Sequence, residues 1–336
     1  MDTELKEALG ARFDRLRSGG NGWAALADAG VLGLPFHEGH GGLGLPPREG
    51  FAVLEVLGPR AIALPYLECV LLAGRLLDRA GGEAARHWLP RVAAGEAKLA
   101  FASIDDRDPA RAKADPAGWR LSGGKLLAIG AAEADAVIVT AETDGEPATF
   151  LIPREAIAMK AYPTIDGRRA ADLLLDDVTV AADARLAIDA EDVSETLDLG
   201  AAAIAAEAAA VMARLVTDTR DYCVQREQFG QAISSFQVVQ HRLVDMNIEA
   251  RRAAAAAALA ADALDLDAAA RAKAISATKV TIADAGRFVG QNAVQLHGGM
   301  GMTEELPVSA LFKRLTMIES EFGTRDEHLA RYMALG

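Results

Sequence analysis

The sequence predicts an α+β protein in three blocks: a helical N-terminal domain over residues 1–97, a small β-barrel or sandwich over 98–188, and a helical bundle over 189–336. Three observations carry this reading. Apolar residues recur at helical spacing in the first block. Short strand-like runs with turn residues between them fill the second. Beyond Asp192 the chain is alanine-rich and has no proline until Pro307. A length of 336 residues allows two or three domains, and 51% hydrophobic with 25% charged residues excludes a disordered chain.

In chain order, Trp23-Ala-Ala-Leu-Ala-Asp-Ala has helical periodicity and stops at Gly30, and a glycine-rich loop runs from His37 to Pro47. Helical pattern returns at Val53–Leu57 and Leu71–Ala80, and Pro90 marks a further break. In the second block, Trp119–Ile129 reads as a hairpin about a Ser122-Gly123-Gly124 turn. Ala136-Val-Ile-Val-Thr-Ala, Ala148–Ile152 and Leu173–Val180 add further strands. The last block reads as long helices, in which tracts such as Ala253–Ala258 form helix without needing a function.

Charge and cysteine content narrow the function classes. Asp and Glu total 48 against 35 Lys and Arg, a net −13 with no basic stripe, which argues against nucleic acid. The two cysteines, Cys69 and Cys223, form neither a metal nor a redox pair by spacing and suggest a reducing compartment. The N-terminus is charged and lacks the apolar stretch of a signal peptide, and no run of about 18 uninterrupted apolar residues occurs. A cytoplasmic protein without a membrane span is expected.

Three motifs carry little. His37 and His40 lack the helix that aligns a zinc pair, so no metal is expected. Gly298, Gly299 and Gly301 form G-G-x-G with no strand before it, unlike a dinucleotide fingerprint. His241, Asp245 and scattered serines provide no nucleophile elbow. Two stretches say more. In Arg226-Glu-Gln-Phe-Gly through Phe236-Gln237, an arginine can pair with a phosphate while Phe229 and Phe236 pack beside an aromatic ligand. In Gln295-Leu-His-Gly-Gly-Met-Gly, glycines let backbone amides approach a pyrophosphate.

With these stretches in this order, and with Trp23 to Gly44 similar to the family's opening, the sequence resembles the acyl-CoA dehydrogenase family. The resemblance implies a helical domain, a β-domain and a C-terminal four-helix bundle, FAD as cofactor, an acyl-CoA substrate desaturated to the 2,3-enoyl-CoA, and an electron-transferring flavoprotein as acceptor. It implies that Arg226 and Phe229 contact the FAD of a neighbouring subunit, with Phe236 and Gln237 near them. Gln295, His297, Gly298 and Gly299 would hold the ADP half, and Thr324 would lie beside the cofactor.

The pattern also departs from the family. The glutamate base of most members directly precedes Gly-Thr near the C-terminus, where this chain has Phe322. The alternative position on an earlier helix falls on Gly200, and the arginine that follows it becomes Ala201, although Asp198 is kept. Glu321 is a displaced-base candidate, weighed against a solvated or N-terminal helix glutamate; Glu319 is no better placed. The Trp-Ile-Thr segment that flanks the flavin becomes Leu127-Ala128-Ile129, and the Thr-Glu-Pro…Gly-Ser-Asp loop is not legible in Ala102–Pro109.

The tract Tyr162–Leu173 and the tail Lys313–Thr324 look like the small subunit of the pimeloyl-CoA dehydrogenase type. The expectation is therefore a base-deficient subunit that completes FAD sites beside a larger catalytic acyl-CoA dehydrogenase subunit, as an α2β2 heterotetramer. A self-sufficient homotetramer using Glu321 and a non-catalytic assembly scaffold are the alternatives.

Overall fold

The computed structural model describes residues 3–15, 21–303 and 305–335. They divide into two compact units, one of residues 1–50 and 64–197, the other of residues 51–63 and 198–336.

In the first unit, α1 (Thr3–Arg15) is followed by α2 (Gly22–Asp28), which buries Trp23, Ala25 and Leu26. The Asn21 side chain caps α2 by accepting from the Ala24 amide at 3.1 Å, and the chain leaves the helix through Gly30 at φ +69°. After α3 (Phe51–Leu57), which belongs to the second unit, the chain re-enters the first as a buried π-helical stretch, Leu67–Gly74. It continues as α4 (Arg75–Ala80) and α5 (Gly82–Ala93). Pro90 lies inside α5 and does not break it. The buried face, Ala85, Leu89 and Val92, continues past the proline, which itself points outward, so packing outweighs one lost hydrogen bond.

Strands β1 (Leu99–Ala102), β2 (Arg111–Asp115), β3 (Gly118–Ile129), β4 (Ala136–Thr143), β5 (Glu146–Pro153), β6 (Ala158–Pro163) and β7 (Arg169–Val180) form one curled seven-stranded sheet. Its order is β1-β4-β2-β3-β7-β6, with β5 also on β4. The expected hairpin about Ser122-Gly123-Gly124 is corrected. Residues 118–129 are one strand, and the turn is Pro116-Ala117, where Asp115 pairs with Gly118. Gly123 serves close approach instead: at φ +113° its missing β-carbon would stand 2.4 Å from the Pro109 carbonyl oxygen. Register shifts near Leu121/Gly123 and Lys125/Ala128 bend the strand over a core that includes Leu121, Val137, Val139, Phe150, Ile152 and Leu175.

The helix α6 (Ala190–Gln225) begins in the first unit and supplies the spine of the second. It is long and apolar enough to cross a bilayer, yet 72% of its most apolar stretch is buried inside the protein, as a core helix requires. After a short hairpin, β8 (Glu227–Gln228) and β9 (Gln231–Ala232), come α7 (Gln237–Ala263), α8 (Ala268–His297), α9 (Pro307–Ser320) and α10 (Arg325–Ala334). The alanine tract of α7 has a packing role. Ala253, Ala257, Ala260 and Ala263 are buried, and small side chains let α7 and α8 approach closely.

Candidate cofactor and base site

The hairpin after α6 turns through Phe229 (φ +54°) and Gly230 (φ +80°), the two left-handed positions of a two-residue I′ turn. Asparagine suits the first of these, and a bulky aromatic there costs about 1–2 kcal/mol. Little burial offsets this: Phe229 is 91% exposed and meets the Phe236 ring edge-on at 6.2 Å. Arg226 is exposed at the base of the same hairpin, where its carbonyl accepts from the Ile233 amide at 2.8 Å. Gln237, also exposed, opens α7.

Tyr222, one turn before Arg226, joins this corner to the end of α8. Its ring stacks on His297 at 4.3 Å between centroids, and its hydroxyl donates to the His297 carbonyl at 3.4 Å. The sequence reading gave His297 a cofactor contact, whereas the structure turns its ring inward. His297 is buried, and its Nδ1–H donates to the Ala293 carbonyl at 2.8 Å. The next residues fit a ligand better. Gly298 (φ +60°) and Gly299 are exposed, with nothing within 4 Å of where a β-carbon would stand. Gly301 is needed for another reason: a β-carbon there would lie 2.8 Å from the Val294 carbonyl oxygen. Gln295 is exposed on the last turn of α8.

The two positions at which the resemblance puts a catalytic base meet in the second unit. The Phe322 ring lies on Gly200 of α6, so that a β-carbon there would be 2.5 Å from Cε1. Phe322 itself has φ +57°, a second strained aromatic. Glu321 is neither solvated nor poised. Helix α9 ends before it, and its carboxylate accepts from Arg314 at 2.8 and 3.2 Å. Arg314 also forks onto Glu207 of α6, with both bonds at 2.7 Å. Burial opposes charge on Arg314, but the two carboxylates outweigh it and hold its pKa well above the ordinary value.

Around this ion group, Lys279 Nζ donates to the carbonyls of Ile318 and Glu321 at 2.8 and 2.7 Å. His328 Nε2–H donates to the Phe322 carbonyl at 2.9 Å, and burial holds His328 below its usual pKa. Asp198 is buried beneath Arg331, at 2.6 and 3.2 Å, and Arg271, at 3.3 Å. Thr324 caps α10, where its hydroxyl donates to Glu327 at 2.9 Å and accepts from the Glu327 amide at 3.3 Å.

In the first unit, the strand position of the flavin-flanking segment is closed by local bonds. Leu127 (φ +52°) donates its amide to Asp172 at 3.1 Å, and the Tyr162 hydroxyl donates to the same oxygen at 2.6 Å. Burial, with Asp172 adding to it, pushes the Tyr162 phenol up to about 12. Lys125, two residues earlier, is buried and bonded to Asp105 at 2.6 Å and Thr140 at 2.8 Å. His40 Nδ1 meets Asp78 at 2.6 Å, and among the described residues no group of three or more His, Cys, Asp or Glu could hold a metal.

Family models described as "Acyl-CoA dehydrogenase, N-terminal domain" and "Acyl-CoA dehydrogenase, C-terminal domain" match residues 4–96 and 190–334. The curated "Acyl-CoA dehydrogenase FadE27" of Mycobacterium tuberculosis is 31% identical, over 97% of this chain and 89% of that protein. This chain belongs to the acyl-CoA dehydrogenase family.

Acyl-CoA dehydrogenases are FAD-dependent oxidoreductases, and solved structures repeat the fold. The ChsE4-ChsE5 complex from Mycobacterium tuberculosis superposes with a TM-score of 0.90 at 28% identity, covering 99% of this chain and 97% of that one. A variant of the Tcur3481-Tcur3483 steroid ACAD superposes with a TM-score of 0.87, also at 28% identity, covering 99% and 96%.

Set against the acyl-CoA dehydrogenase pattern, the exposed Arg226, Phe229, Gly298 and Gly299 suit the ADP half of FAD, a ligand with two phosphates and an aromatic base. Leu127, Ala128 and Ile129 offer the flavin ring neither an aromatic face nor a hydroxyl. Sequence reasoning missed Tyr222, Glu207, Arg314 and Lys279. Tyr222 had one available signal, its place a single helical turn before Arg226. The Lys279–Ile318 and Arg314–Glu207 bonds span 39 and 107 residues of sequence, and no local pattern reports such pairs.

Proposed function

We propose that this chain is a base-deficient subunit of a heteromeric acyl-CoA dehydrogenase, working in α,β-desaturation of an acyl-CoA thioester beside a larger catalytic subunit. The observation that carries the reading is the meeting of Phe322 with Gly200: neither of the two places from which the family removes the α-proton holds a group that can accept one. Bound FAD would supply the acceptor for the β-hydrogen as hydride. This chain's part is to hold it: Arg226 pairs with phosphate, Phe229 and Phe236 cover an aromatic face, and the bare backbone at Gly298 and Gly299 admits the ADP half. The relatives named for a ChsE4-ChsE5 complex and a Tcur3481-Tcur3483 pair support a two-chain assembly. Electrons would leave through an electron-transferring flavoprotein.

The competing use of Glu321 as base is disfavoured, because its carboxylate is buried and its two oxygens already take Arg314 N–H bonds. The deciding measurement is bound flavin per protomer, from visible absorption, in the chain expressed alone. Little flavin alone and stoichiometric recovery with a catalytic partner are expected. Full flavin together with acyl-CoA oxidation by the lone chain would overturn the reading.

A companion test uses the strained hairpin. Phe229→Asn should raise the stability of the isolated chain by about 1 kcal/mol in denaturant melts, because asparagine tolerates φ +54°. The same change should weaken flavin retention in the assembled protein at least tenfold. A variant that holds flavin normally would remove Phe229 from the cofactor site.

A further inference from the structure

The turn that replaces the base is fixed on several sides. Lys279 takes the carbonyls of Ile318 and Glu321, His328 takes that of Phe322, and Arg314 takes the Glu321 carboxylate. Gly323, at φ +105°, completes the turn against His328, whose Nε2 would lie 2.9 Å from a β-carbon there. A strained aromatic held by this many partners is maintained by the fold.

Its ring is aimed at α6. A β-carbon on Gly200 would be 2.5, 2.7 and 2.9 Å from Phe322 Cε1, Cζ and Cδ1. A carbon–carbon bond adds about 1.5 Å, so the ring stands no more than about 4 Å from the Gly200 α-carbon, which is van der Waals contact. Two base positions that serve one C–H bond must both reach it, so that carbon belongs in the space between them. A methylene needs about 3.5–4 Å of clearance on each side, and the ring leaves none.

We propose that Phe322 is a steric plug, its ring filling the volume that the α-carbon of an acyl thioester would need, so that this chain's own site excludes acyl chains as well as lacking a base. The proposal rests on the heteromeric reading above. It makes Phe322 and Gly200 one unit, the large residue at one position requiring the smallest at the other.

The test counts ligand sites on the full chain in the assembly it forms. Calorimetric titration with octanoyl-CoA, and with CoA alone as the reference, gives the number of acyl sites per copy of this chain. Phe322→Ala should add one octanoyl-CoA site per copy, at least tenfold tighter than CoA there, with no rise in turnover. Phe322→Leu, a milder change, should add a weaker site and guards against a variant that fails to fold. Gly200→Ala should lower the melting temperature by several degrees, and adding Phe322→Ala should recover most of that loss. An unchanged site number in both Phe322 variants, or an acyl site already present in every copy of the wild-type chain, would overturn the plug. Oxidation of octanoyl-CoA by the lone flavin-loaded chain would instead overturn the heteromeric reading, so the two failures are distinguishable.

Discussion

Replacing Arg314 by leucine should cost the protein about 3–5 kcal/mol, read as a lower denaturant midpoint with little change in slope. The guanidinium is 5% exposed and is shared by Glu207 and Glu321, at 5% and 8% exposure, so its loss removes a positive charge from beside two buried carboxylates. A lysine at position 314 should recover only part of the loss, since an ammonium cannot fork onto both carboxylates. Glu321→Gln should also destabilise, yet leave turnover of the flavin-loaded assembly within about twofold. A loss of orders of magnitude in turnover with stability intact would return Glu321 to the role of base.

The second large effect is a dependence on alkaline pH that runs against intuition for a lysine holding a turn together. Burial lowers Lys279 to about 8, against an unfolded value near 10.5. Glu321 opposes this, Arg314 reinforces it, and Glu319 opposes it again; His328 also faces the ammonium from α10. Between pH 8 and 10.5 the unfolded chain binds the proton and the folded chain does not, so stability from this group rises with pH across that window. It is complete above about 10.5 and lost as pH falls through about 8, an amount of roughly 3 kcal/mol. The turn survives deprotonation because a neutral amine still has two N–H bonds for its two carbonyl partners. Denaturant melts of wild type and Lys279→Met across pH 7.5 to 10.5 should diverge in the wild type's favour as pH rises. Parallel curves would refute the coupling.

Much of the fold was legible because it is written in local terms. Ala136-Val-Ile-Val marks β4 by its apolar β-branched run, and the proline-free alanine-rich stretch marks the bundle. What failed was the meaning of single punctuating residues. Ser122-Gly123-Gly124 has the composition of a turn, but Gly123 is there to admit the Pro109 carbonyl. Pro90 has the look of a helix end, but the helix buries residues on both sides of it. At the site, motif order pointed to Arg226, Phe229 and the Gly298-Gly299 backbone, whose exposure suits a ligand, and to His297 and Thr324, whose side chains have hydrogen-bond partners within the chain. The absence of a glutamate at positions 200 and 322 could be read from sequence. That the two positions touch could not, because three-dimensional proximity across 122 residues leaves no local trace; nor could the hold of Arg314 on Glu321, seven residues on, because the chain leaves the helix before Glu321.

The contact between Phe322 and Gly200 also bears on descent. Phe322→Glu alone would put a carboxylate on a left-handed backbone beside a newly emptied space, and Gly200→Glu alone would drive a side chain into an aromatic ring. A base at position 322 needs only that residue to change, since Gly200 has no side chain to oppose it, although the strained backbone stays; a base at position 200 needs Phe322 to shrink as well. The two routes to a base are therefore unequal in length: one step at position 322, against two coordinated steps at position 200.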